Sequence, residues 1–211
     1  MEPRIIKTII LLLFTTQLWG QTTIRGTTKI ETDGIISDSI NNSPNKQFEK
    51  RIKIKPIDKS DCELEIRFYK LTALSNTKNL RIIKLKNDNW TALEYDEWNN
   101  PEKIKKYTLK TENIFDDLLT KLIKQNITRL PSQNELKSKM KMPVEIRGRQ
   151  GEQHILVTDG HSYTVEFKIG DRYRIYDFSN PDNYANFYDN VEELKNYVAI
   201  KNIFDKELTR K

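Results

Sequence analysis

The 211-residue sequence carries 36 Lys+Arg against 30 Asp+Glu, a formal net charge of +6, with 31% charged and 36% hydrophobic residues. A charged share above the ~25% usual in globular domains excludes a multi-span membrane protein, and 9% aromatics exclude a wholly disordered chain. A single Cys excludes an intramolecular disulfide framework, and seven Gly leave little room for phosphate-cradling Gly-rich loops.

Residues 1–20 read as a secretory signal. Arg4 and Lys7 form a basic start, Ile9 to Phe14 form an unbroken apolar run, and Gly20 offers a small residue before a cut at Gln21. That run of six is far short of the ~20 residues a membrane span needs. No Cys near the cut offers a site for lipid attachment. Removing residues 1–20 leaves 34 basic against 29 acidic residues in a periplasmic or secreted chain. Residues 21–62 are expected to form a polar, partly disordered arm, because Thr, Ser and Asn dominate 21–47 with no apolar period. Toward its end Ile52 and Ile54 alternate with lysines before Pro56, the pattern of a short edge strand.

Residues 63–211 are expected to form a single α+β domain. Leu64, Ile66 and Phe68 alternate with Glu65 and Arg67, which predicts a strand with one buried face. Polar turns lead to two more strands, Leu80 to Leu85 and Trp90 to Tyr95, giving an antiparallel meander. Residues 96–110 are polar and Lys-rich and suggest no element. Ile114, Phe115, Leu118, Leu119, Leu122 and Ile123 fall on one helical stripe, with Thr111 or Asn113 as N-cap and Pro131 as the stop. Residues 131–143 read as a loop, and Val144 with Ile146 open another strand.

Gln153 to Thr158, Ser162 to Ile169 and Tyr173 to Phe178 read as two linked hairpins turning at Asp159-Gly160 and Gly170-Asp171. A two-residue loop at the second turn sets Tyr173 and Ile175 opposite Lys168 and Glu166. A three-residue loop pairs Ile169 with Tyr173 and Phe167 with Ile175, which gives one apolar face and is the expected register. Asn180-Pro181 enters a short helix. Asp189 to Glu192 then has the form of a capping box before a last helix carrying Val191, Leu194, Val198 and Phe204. The order of elements predicts an antiparallel sheet, a meander plus C-terminal hairpins, with helices packed on one side.

Chemistry is sparse in this pattern. His154 and His161 bracket Asp159, but a hairpin would hold them ~13 Å apart along a strand, too far for one zinc ion. Cys62 lies between Asp61 and Glu63, whose charges raise a thiol pKa and disfavour a nucleophile. Asp177, Asp182 and Asp189 are more simply turn and cap residues than a calcium loop, since Ser179 and Pro181 stand where ligands belong. No metal, cofactor or catalytic residue is therefore expected.

Charge is the remaining signal. Residues 121–149 hold eight basic residues against Glu135 and Glu145, and residues 150–193 hold nine acids against three basic residues, net +6 and −6. The two segments either pack together and cancel or present a basic patch to a polyanion. In the second case Lys137, Lys139 and Lys141, in the loop after Pro131, are the candidate binding residues. These features describe an exported, non-catalytic binding protein of the accessory, inhibitor or immunity kind. Its partner would be a protein or an anionic envelope component, not nucleic acid. The alternative is an envelope or secreted hydrolase with a site assembled from residues distant in sequence.

Overall fold

Alternation of apolar and charged residues organises the chain around one long sheet. A computed structural model describes residues 21–24, 28–31, 35, 45–75, 77–99 and 102–211. Residues 1–20, expected to form a signal, lie outside the described residues. Strands β1 (Gln21–Ile24) and β2 (Thr28–Glu31) form an antiparallel hairpin. Helix α1 (Lys46–Arg51) and a 3₁₀ turn at Ile57–Lys59 follow. Strands β3 (Leu64–Thr72), β4 (Thr77–Lys86), β5 (Asn89–Asn99) and β6 (Glu102–Thr111) then run as a meander. Helix α2 (Phe115–Lys124), a 3₁₀ turn at Gln133–Leu136 and a hairpin of β7 (Met142–Ile146) and β8 (Arg149–Gln153) connect to β9 (His161–Ile169) and β10 (Arg172–Ser179). Helices α3 (Pro181–Phe187) and α4 (Glu192–Glu207) and strand β11 (Leu208–Arg210) complete the chain.

The main sheet has seven strands in the order β10-β9-β3-β4-β5-β6-β11, and every pairing is antiparallel. The expected α+β fold is the one found. On one face, Leu64, Ile66 and Phe68 of β3 and Val165, Phe167 and Ile169 of β9 meet Leu118 and Leu122 of α2 and Leu194, Ile200 and Phe204 of α4 in one core. Aromatic stacking adds specificity there: Phe68 lies 4.4 Å from Phe204 and Phe178 lies 4.5 Å from Tyr197, ring centre to ring centre. The other face is covered by α1, whose Phe48 packs on Tyr69, Leu80, Ile82 and Tyr95.

That second face also carries buried charge. Arg67 donates to Glu65 at 2.7 Å, to Glu49 of α1, and to the Lys55 carbonyl at 2.7 Å. Glu166 lies 3.8 Å from the same guanidinium, and Lys84 lies 3.3 Å from Glu65. Tyr69 adds a hydrogen bond to Glu49 at 2.6 Å. The charged positions of the β3 and β9 alternation are thus inside, satisfied by one another, rather than in water.

This second buried face overturns the expected hairpin register. Gly170-Asp171 forms a two-residue loop, so Ile169 pairs with Arg172, Tyr173 with Lys168, and Ile175 with Glu166. Gly170 takes a φ of +56°, which suits Gly at the first central position of such a turn. Lys168 is buried and donates to the Cys62 carbonyl at 3.1 Å, so Tyr173 packs beside it on a covered surface.

Several local expectations are corrected as well. The stretch read as a polar arm contains β1, β2 and α1, and its Ile24, Ile30 and Ile35 are buried in the main core. Residues 48–57 begin in helix rather than strand, because Phe48 and Ile52 share a face at i, i+4. The Lys-rich stretch read without an element contains β6, and β11 was not anticipated. Val144 and Ile146 do lie in a strand, but it pairs with Arg149–Gln153; residues 154–160 belong to no strand. Helix α2 is preceded by Ile114 and α4 by Val191, and neither N-cap uses a side-chain hydrogen bond. The capping box instead forms at Ser132 and Glu135.

Candidate functional site

The basic loop does not stand free as a patch. Lys139 donates to Glu193 at the start of α4, and Lys141 lies 3.6 Å from Glu152 of β8. Arg174 lies 3.8 Å from Glu135. The basic and acidic segments therefore meet and partly cancel, one of the two outcomes their charge allowed. Lys137 lines a shallow depression of about 230 Å³ with Gln133, Asn134 and Asp177.

The residues weighed for catalysis are not brought together into one pocket. His154 is exposed and 3.8 Å from Glu152. His161 opens β9, and its Nδ1 meets the Thr72 hydroxyl at 3.0 Å across the β3–β9 pair. Burial, with the nearby Lys70 charge, holds the His161 imidazole below its ordinary pKa, so it is neutral at pH 7. Cys62 is buried. Among the described residues no cluster of three or more His, Cys, Asp or Glu is placed to hold a metal ion. Asp177 accepts from Ser132 at 3.0 Å and Asp182 from Lys201, uses tied to the fold.

A larger recess lies elsewhere, where the sheet splits. Pairing between β5 and β6 runs from Asn99–Glu102 to Leu93–Thr108 and stops there. Beyond that point β5 continues on β4 back to Asn89, while β6 continues on β11 to Thr111. The two strands diverge around a cleft of about 1150 Å³, bordered by residues 90–93 and 108–111, by the first turn of α2 and by Lys211.

Register determines what the strands present to that cleft. The Lys211 N–H donates to the Thr108 carbonyl at 3.0 Å, so Thr108 directs its backbone polar groups toward the β11 side. Residues in an antiparallel strand alternate in this respect. Leu109 and Thr111 therefore aim N–H and C=O toward β5, and Trp90 and Ala92 aim theirs toward β6. The Leu93–Thr108 pair is closed on its cleft side by Ala92 and Leu109, so the strands part beyond those two, and among the described residues no strand pairs with Trp90 and Thr111 on that side.

Side chains complete the walls. Leu109 and Ala92 are buried, and Trp90 stacks on Phe115 at 5.7 Å. Ile114 stands at the mouth, 62% exposed. The indole Nε1 of Trp90 and the hydroxyl of Thr111 are shielded and have no hydrogen-bond partner among the described residues. Lys110 and Lys211 bring positive charge to the rim, and Asp116 and Asp117 bring negative charge. The cleft thus offers apolar contact together with unmatched donors and acceptors, the combination that marks binding sites. It shares no residue with His154, His161, Cys62 or the basic loop. The sequence concealed it because β6 reads as a polar stretch and the split depends on long-range register.

Comparison with protein-family models, with curated proteins and with solved structures found no match to this chain.

Proposed function

We propose that the chain is an exported, non-catalytic binding protein that takes its ligand into the cleft between β5 and β6. The observation that carries this reading is the split sheet, with its apolar walls and the shielded Trp90 indole N–H and Thr111 hydroxyl that have no hydrogen-bond partner among the described residues. A helix and two strands frame the recess, so it is held by regular structure rather than by a loop. The basic lysines Lys137, Lys139 and Lys141 are, in this reading, a secondary rim feature that balances the acidic segment. An exported chain meets its partners in the envelope or outside the cell, which favours a protein or an anionic envelope component.

Site-specific photo-crosslinking tests it. A benzophenone side chain placed at Ile114, at the cleft mouth, should give one dominant adduct in exported material. The same group at Leu74, 78% exposed on the β3–β4 turn, should not. Equal labelling from both positions, or none from Ile114, removes the cleft as the binding site.

A secreted hydrolase is the second reading, and the Thr72–His161 contact is the observation that favours it. In that case Thr72→Val would abolish hydrolysis of an ester probe such as p-nitrophenyl acetate. If binding alone is the function, the wild type turns over no faster than that variant.

A further inference from the structure

We infer that the corner of the main sheet beside the last turns of α4 is a second binding site, one that takes a saccharide bearing a carboxylate. Register assembles it. Cross-strand pairing sets Tyr163, Lys70, Asn79, Asp96 and Lys105 in one row across β9, β3, β4, β5 and β6. Two residues further along, His161 pairs with Thr72 and Trp98 with Lys103, while Thr77 and Trp98 flank the Lys78–Glu97 pair. Residues two apart on a strand share a face, so both rows lie on the α4 side of the sheet. Helix α4 meets the sheet at the row before them, where Phe204 stacks on Phe68 and the Phe204 carbonyl accepts from Arg81. Beside that contact lies a recess of about 230 Å³, bordered by Lys70, Thr72, Asn79, Asp96, Trp98 and Asp205.

The chemistry of this corner suits a charged sugar ring. Trp98 stands at the rim, 53% exposed. A lone exposed aromatic is ordinary on a protein surface, but this one borders a recess whose other walls are polar. A pyranose has a face of C–H bonds that lies well against the negative face of an indole, and a rim of hydroxyls that need fixed partners. Asn79 is such a partner. Its amide N–H groups go to Glu94 at 2.5 Å and Asp96 at 2.6 Å, which fixes the side chain and leaves its carbonyl oxygen to accept from a ligand. Charge then selects among sugars. Asp96, Glu97 and Asp205 are answered by Arg210, Arg51 and Arg81. Lys70, Lys78, Lys103 and Lys105 have no carboxylate within ion-pair distance among the described residues, so the surplus charge around the recess is positive. A uronic acid residue uses both features, its ring on Trp98 and its carboxylate among the lysines. A neutral sugar would leave the lysines unanswered, and a small polycarboxylate would leave the indole bare; these are the competing occupants.

The test uses the mature chain, residues 21–211, whose tryptophans are Trp90 in the cleft and Trp98 here, so their indole N–H signals in an NMR spectrum report the two sites separately. Three probes are titrated: trigalacturonate, its methyl ester, which keeps the sugars and removes the charge, and tricarballylate, which keeps carboxylates and has no ring. The inference expects trigalacturonate to move the Trp98 signal saturably and leave Trp90 in place. The methyl ester and tricarballylate should each bind about tenfold more weakly or worse, and so should Trp98→Ala and the Lys70→Gln/Lys103→Gln pair toward trigalacturonate. Trp98→Phe, which keeps an aromatic face, should retain most of the affinity. Raising salt from about 0.05 M to about 0.5 M should weaken binding, because it screens the exposed lysines. If the ester binds as tightly as the acid, selection by charge is wrong. If tricarballylate binds as tightly as trigalacturonate, or if trigalacturonate leaves the Trp98 signal unmoved, the corner is no saccharide site. Each of those results overturns the inference with the wild-type chain alone and leaves the cleft, reported by Trp90, untouched.

Discussion

Arg67→Met is the most informative single change to the fold. The Arg67 side chain is 1% exposed, and the carboxylates of Glu65 and Glu166 around it are 0% and 1% exposed. Removing the guanidinium leaves Glu49, Glu65 and Glu166 facing one another, with Lys84 as the near cation at Glu65. Removing one partner of a buried pair costs about 3–5 kcal/mol, a large share of the ~5–15 kcal/mol that holds a typical domain. Met fills much of the volume, so the loss reports charge rather than a cavity. Urea unfolding followed by circular dichroism at pH 7 measures it, and a loss below about 1 kcal/mol would refute the view that this cluster is a mutually dependent buried network.

The same variant inverts the pH dependence. In the wild type, burial pushes the Glu65 carboxyl up, but the Arg67 and Lys84 charges and the Ser60 hydroxyl together hold it below the ordinary range. A depressed carboxyl stabilises the fold above its unfolded pKa, about 4.3, and that contribution fades as pH falls through the lower folded value. Without Arg67 burial dominates, the folded pKa rises above the unfolded one, and protonation then favours the native state. The wild type should therefore lose stability on acidification below about pH 4.3. Arg67→Met should gain stability between pH 7 and 5, and parallel profiles would sink the argument.

Three further outcomes are expected. Gly160→Ala would place a Cβ 1.8 Å from Asn180 Oδ1, which accepts the His161 N–H at 2.9 Å, so Asn180 must swing away and lose that bond. The loss should be about 1 kcal/mol and should vanish in an Asn180→Gly background, as a double-mutant cycle in urea would show. Changing Lys137, Lys139 and Lys141 together to Glu should lower the melting temperature by only a few degrees in calorimetry, since exposed ion pairs contribute about 0–1 kcal/mol each. A drop beyond about 10 °C would mean that these contacts hold α4 and the β7–β8 hairpin in place. N-terminal sequencing of exported protein should begin near Gln21; retention of residues 1–20 would remove the export reading.

Legibility followed the range of the interaction. Leu64, Ile66 and Phe68 announce β3 because a half-buried strand writes its face into every second residue. Pro181 likewise marks the start of α3, a local rule acting within one turn. The β9–β10 register failed for the opposite reason. Lys168 and Glu166 look solvent-exposed unless one knows that α1 and the Ser60–Glu65 segment lie over them, a contact separated by about a hundred residues in sequence. Strand β6 was hidden by its lysines, which suit an edge position and mask a strand in any composition-based reading. The cleft was least legible, since no residue type marks the place where one ladder stops and another continues.

Coverage of the sheet bears on the proposed site as well. Most of one face is filled by α2, α3 and α4; on the other, α1 covers Tyr69, Leu80, Ile82 and the charge cluster, while Thr91, Lys106, Thr108 and Lys110 stay exposed. The uncovered part of the sheet is therefore its β5–β6 end, the end that holds the cleft. Lysines defend the outer edge of β6 against indiscriminate pairing. At the split, Trp90, Ala92 and Leu109 give apolar walls, with Lys110 and Lys211 at the rim. The short β11 accompanies this geometry: Leu109–Thr111 pair with it on their other side, while pairing between β5 and β6 ends at Leu93–Thr108. A recess framed by two strands and a helix is held in shape by regular structure, and its apolar walls limit what can enter it.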